Sequence, residues 1–92
     1  MLLNKQGEAT DAYQRALAIR PNNWIAHYNL GCLYARAGRM NEAMEMVGIA
    51  VAEMRQQRTP VEARSILEDI RKDEALKELR DDPRFAKIVA AR

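Results

Sequence analysis

Apolar residues return every three or four positions along most of this chain, the spacing that puts them on one face of a helix. Between positions 24 and 37, Leu30, Tyr34 and Ala37 hold that interval. A second stripe follows in Ala43, Val47, Ala50 and Met54, flanked by Met40, Met44 and Val51. An earlier helix over about 5–20 would turn Tyr13, Ala16 and Leu17 inward, and a later one would present Ile66, Leu67 and Ile70. Punctuation between the stripes agrees with their phase. Pro21 ends the first helix near Arg20, and Asn22 and Asn23 turn the chain into Trp24. Gly38 follows the second helix where a left-handed C-cap is expected, and Asn41 stands where it can cap the third, with Glu42 and Glu45 near its positive end. Gly31, beside Leu30, offers a place where a neighbouring helix can approach closely.

Beyond Gln57 the run Thr59-Pro60-Val61-Glu62 forms a capping box with proline at the first helical position, so another helix starts there. The charged run Arg71-Lys72-Asp73-Glu74 shifts the apolar phase and predicts a break near Asp73. Leu76 and Leu79 then fall on a short helix, and Asp82-Pro83 caps and starts a last one carrying Phe85, Ile88 and Val89.

Sliding the chain against itself by 34 positions pairs Glu8 with Glu42, Ala9 with Ala43, Tyr13 with Val47, Ala16 with Ala50 and Leu17 with Val51. A fixed period of this size is the mark of stacked supersecondary units. Residues 24–57 carry His27-x2-Leu30-Gly31-x2-Tyr34, then Ala43-x3-Val47 and Ala50, which resembles the tetratricopeptide repeat. His27 stands where that family usually has Trp, and Arg55 where it usually has Pro. Residues 1–22 supply the second helix of a preceding repeat, with Ala9-x3-Tyr13, Ala16, Leu17 and Pro21. The segment LRDDPRF is similar to closing segments that follow such arrays.

The resemblance implies an all-α fold of stacked antiparallel helical hairpins, a tetratricopeptide-like α-solenoid with C-terminal capping helices, in a single domain spanning 1–92. Within it, 1–22 is a half repeat, 24–57 a complete repeat and 58–92 the cap. It also implies that function lies on the concave side lined by first helices, where an extended peptide or a partner's helix can lie. The concave positions map onto Ile25, Tyr28, Asn29, Cys32 and Arg36. One subclass of the family holds a C-terminal carboxylate with Lys, Asn and Arg from successive repeats; Asn29 matches, but Thr59 and Ala63 occupy the other positions, which argues against that specificity.

Composition narrows the reading further. The chain has 15 basic and 13 acidic residues, interspersed, for a net charge of +2, which implies no strong field toward nucleic acid or membrane. With one cysteine there is no internal disulfide, and no run reaches membrane length, so a cytoplasmic protein is expected. His27 and Cys32 lie about 140° apart on a helix, on different faces, and are read as packing residues, not as a nucleophile or metal pair. Paired acids such as Asp69 and Asp73 belong to solvated runs or caps, and no phosphate loop, nucleophile elbow or zinc helix is present. The sequence therefore predicts no enzyme, no metal and no cofactor, and a protein or peptide partner. Because the first helix has lost its own hairpin mate, with Leu2 and Leu3 nearby, a homodimer covering that helix is the alternative. The methionines Met40, Met44, Met46 and Met54 are read as core filler.

Overall fold

The computed structural model describes residues 5–90 and places them in helices joined by short turns. In chain order these are α1 (Lys5–Ile19), α2 (Trp24–Arg36), α3 (Met40–Gln57), α4 (Pro60–Lys72), a 3-10 helix (Glu74–Leu79) and α5 (Pro83–Ile88). No strand occurs among the described residues. Leu2 and Leu3, expected near α1, lie outside them.

Helices α2 and α3 form the central hairpin, and its turn is built by one glycine. Gly38 has φ of 79°, in the left-handed region. That conformation lets the Arg39 amide reach the Tyr34 carbonyl at 2.8 Å and the Gly38 amide reach Ala35 at 3.1 Å, the paired bonds of a Schellman stop. The start of α3 differs from expectation. Arg39, not Asn41, holds the N-cap position and makes no side-chain cap bond. Its guanidinium instead pairs with both Glu42 carboxylate oxygens, at 2.6 and 2.5 Å, and lies 4.9 Å above the Tyr34 ring centre. Asn41 has been recruited elsewhere: its side-chain oxygen accepts from Arg84, 43 positions away, at 3.0 Å.

The two helices meet at Gly31. A Cβ placed there would stand 2.7 Å from Val47 Cγ2 and 3.3 Å from the Ala43 carbonyl oxygen. The inward stripe of α3, comprising Ala43, Val47, Ala50 and Met54, is fully buried, with Met44 and Val51 beside it. Two polar ties hold the far end of the hairpin. His27 Nδ1 lies 2.7 Å from Glu53 Oε1, and Gln57 donates to the Asn22 carbonyl at 2.7 Å, fixing the α1–α2 turn on the end of α3. Asn23 caps α2 through the Ala26 amide. Helix α1 packs against α2, with Ala9, Tyr13, Ala16 and Leu17 half-buried.

The C-terminal part completes the core. Thr59 and Glu62 form the reciprocal capping box that opens α4. Bonds from Thr59 hold the Glu62 carboxyl below its ordinary range. Asp73 ends α4 and, through the Ala75 amide at 2.9 Å, caps the 3-10 helix. Asp82 caps α5 by accepting from the Arg84 amide, and the Arg84 side chain holds its carboxyl low. Leu76, Leu79, Phe85 and Val89 are all buried in the cluster around α3. Each is worth about 1.5 to 3 kcal/mol, so together they rival the whole stability of a domain this size. The segment is therefore an integral wall of the fold.

Candidate functional site

Ile25, Asn29, Cys32 and Arg36 succeed one another at steps of four, three and four residues, which at about 100° per residue aligns them in one narrow stripe along α2. Tyr28 stands about 60° to one side. The opposite face of the helix is committed to packing, since Ala26, Leu30, Gly31 and Ala35 are buried. The α2 stripe is thus the face of the helix that lies away from these packing contacts.

The C-terminal part divides that stripe. The 3-10 helix packs against α2 itself, whereas α4 packs against α3 and the 3-10 helix. At this contact the Tyr28 hydroxyl donates to Asp73 Oδ2, across 45 positions of sequence. The remaining acceptors of Asp73 are also used: Oδ1 by the Ala75 amide, and its carbonyl by Leu76 and by Arg80 Nη2 at 2.9 Å. Burial, reinforced by the carboxylate it serves, pushes the Tyr28 phenol well above its ordinary value. Cys32 lies within the same group, and burial together with the Asp73 charge pushes its thiol up, against the smaller opposing effects of Tyr28 and Arg36. A thiol so disposed is a poor nucleophile at neutral pH.

Tyr28 and Cys32 are thus engaged with the chain's own segment, while Ile25, 50% exposed, and Arg36 stay open, with Asn29 half-buried between them. Arg36 makes no ion pair among the described residues. Sequence reasoning located the stripe but missed Asp73, which reads locally as a charged helix end. Its cap role was legible from its position before Glu74-Ala75; its reach to Tyr28 was not.

Chemistry is sparse. Among the described residues no group of three or more His, Cys, Asp or Glu side chains could hold a metal ion, and no helix is long and apolar enough to cross a membrane. His27, separated from Cys32 as expected, is taken up by Glu53.

The family described as TPR repeat matches residues 1–38, which contain α1, the turn after it and α2. No curated protein and no solved structure matches the chain. Members of that family are in general scaffolds for protein–protein interaction and not enzymes. This match over residues 1–38, together with an all-α architecture built on a glycine-spaced hairpin, supports a tetratricopeptide-repeat protein.

Proposed function

We propose that this chain is a protein-interaction module that receives a peptide or a partner's helix along the open stripe of α2. The observation that supports it is the stripe itself: Ile25, Asn29 and Arg36 run in line between α1 and the 3-10 helix and are spared by the core. Each suits a different contact. Ile25 offers an apolar anchor, the Asn29 amide can bond a peptide backbone, and Arg36 can pair with a carboxylate. Tyr28 and Cys32, from the same predicted set, serve as the fixed flank on the Asp73 side. In this reading 1–22 is a half repeat, 24–57 the complete repeat and 58–92 the cap of one domain, acting in the cytoplasm.

Capture of partners by wild type and by an Ile25→Ser, Arg36→Ala double variant tests the assignment. Both substitutions are at exposed positions, so the helical circular dichroism should be unchanged while captured partners diminish. An undiminished set of partners on the folded double variant removes the α2 stripe from the function.

One observation favours a second reading. No described side chain of α1 is buried, although Tyr13, Ala16 and Leu17 face the fold. A second chain covering α1 would complete that burial and make the module an assembly element. Light scattering over a concentration series decides it, because a strict monomer at high concentration eliminates the homodimer.

A further inference from the structure

Helix α1 packs against α2 and stays open along another face. Its residues Ala9, Tyr13 and Ala16 are half-buried, whereas their counterparts 34 positions on, Ala43, Val47 and Ala50 of α3, are fully buried. Beside them Ala12 is exposed, and Ile19, at 81%, is the most exposed large apolar side chain among the described residues. Ala9, Ala12, Ala16 and Ile19 follow at intervals of three, four and three, within about 80° of one another, so the open face is one strip along the helix.

Charges border this strip in a set order. Glu8 and Arg15, both exposed, stand seven residues apart and hence only about 20° from each other around the helix. Neither enters an ion pair among the described residues, and at about 10 Å along the axis they are too distant to satisfy one another. Arg15 lies outside the last turn of α1, so the helix dipole does not account for it. Comparison within the chain isolates the basic half. Glu8 has Glu42 as its counterpart in α3, but Arg15 and Arg20 stand where α3 has Ile49, half-buried, and Met54, fully buried. The two arginines are thus particular to the helix that the described chain leaves open.

A helix that is acidic early and basic late complements itself in one orientation only. Laid parallel, like charge meets like; laid antiparallel about a two-fold axis, each charge meets its opposite. An alanine-lined strip by itself prefers no partner, and the charge order supplies the preference. Building on the homodimer reading of α1 given above, we infer that two copies of the chain pair through α1, antiparallel, with Glu8 of each facing Arg15 of the other. The axis then passes between positions 11 and 12, Ala9 and Ala12 lie between the two helices, and Ile19 lies at the end of the contact.

The contact runs along one helix of 15 residues, which is about 22 Å long. That is short of a standard interface of about 1,200 Å² or more, so the dimer is weak, with a Kd on the order of 0.1 mM. Sedimentation equilibrium of the full chain from about 10 µM to about 1 mM at low salt should show monomer and dimer in exchange. Glu8→Arg and Arg15→Glu each turn two attractions into two repulsions and should weaken the dimer by about tenfold, with helical circular dichroism unchanged. Both substitutions in one chain should return the Kd to within about threefold of wild type, and an equimolar mixture of the two single variants should form a heterodimer of the same strength. Residues seven apart on one helix do not touch, so this rescue cannot arise within a chain. A dimer indifferent to all these changes, or one that the combination fails to restore, overturns the antiparallel pairing and leaves a homodimer through another contact. A strict monomer up to about 1 mM overturns the pairing and the homodimer together.

Discussion

Two glycines lie inside neighbouring helices, and replacing each in turn by alanine separates packing from helix propensity. Gly31 is in α2 and Gly48 in α3, so either substitution gains the same intrinsic helix preference of about 0.8 to 1 kcal/mol. Their surroundings differ sharply. At Gly48 the new methyl group would meet only Ile88, with Cδ1 at 3.5 Å and Cγ1 at 3.9 Å, which is ordinary contact with the far end of a flexible side chain. At Gly31 it would stand 2.7 Å from Val47 Cγ2, 3.3 Å from the Ala43 carbonyl oxygen and 3.4 Å from the Val47 nitrogen. None of these yields easily, because Val47 is fully buried and β-branched with one favoured rotamer in a helix, and the other two atoms are backbone. The helices must separate, at a cost of about 1 to 3 kcal/mol. Since propensity cancels between the two variants, Gly31→Ala should be less stable than Gly48→Ala by that amount. Urea denaturation read by circular dichroism measures it, and the melting temperatures should differ by about 4 to 8 °C for each kcal/mol. Adding Val47→Ala to Gly31→Ala should recover part of the loss, a coupling of about 0.5 to 3 kcal/mol. Gly31→Ala and Gly48→Ala variants equal to within about 0.5 kcal/mol would refute the close approach of α2 and α3.

Other expectations follow from single contacts. Gly38→Ala forces a side chain into the left-handed region and should cost about 1 to 2 kcal/mol in the same denaturation assay. Thr59→Ala removes one half of the capping box of α4 and should cost about 0.5 to 2 kcal/mol, with amide exchange rising first at the α4 start. The Tyr28 phenol keeps its proton in the fold to a higher pH than in the unfolded chain. Its contribution is therefore intact below about pH 10 and falls as pH rises beyond it. Stability of the wild type should decline more steeply above about pH 10 than that of Tyr28→Phe, and parallel curves would dissociate Tyr28 from the Asp73 contact. Arg71→Ala frees the Val89 carbonyl and should speed amide exchange in α5 more than in α2.

Much of the fold was legible because it rests on local rules. The inward stripe of α3 needs only helical spacing, and all four of its members are fully buried. Gly38, Thr59 with Glu62, and Asp82 with Pro83 each act within a few residues of themselves, so their roles can be read from neighbours in sequence. Asn41 shows where that reading stops. Its type and position favour a cap, but Arg84 from a distant part of the chain competes for the same oxygen and holds it. His27 and Arg55, read as departures from a family pattern, became a hydrogen-bond partner of Glu53 and a tether for α5, contacts separated by 26 and 35 positions.

By itself the sequence determined the helices, most of their ends and the close hairpin at Gly31, because backbone geometry and side-chain spacing act over a turn or two; the stripe from Ile25 to Arg36 was named from the family resemblance. Only the tertiary structure decided how much of that stripe stays open. Burial of Leu76 and Leu79 draws the chain after α4 onto α2, and this brings Asp73 to Tyr28. No local pattern encodes such a meeting, since it depends on which apolar surfaces are left to cover once the hairpin has formed.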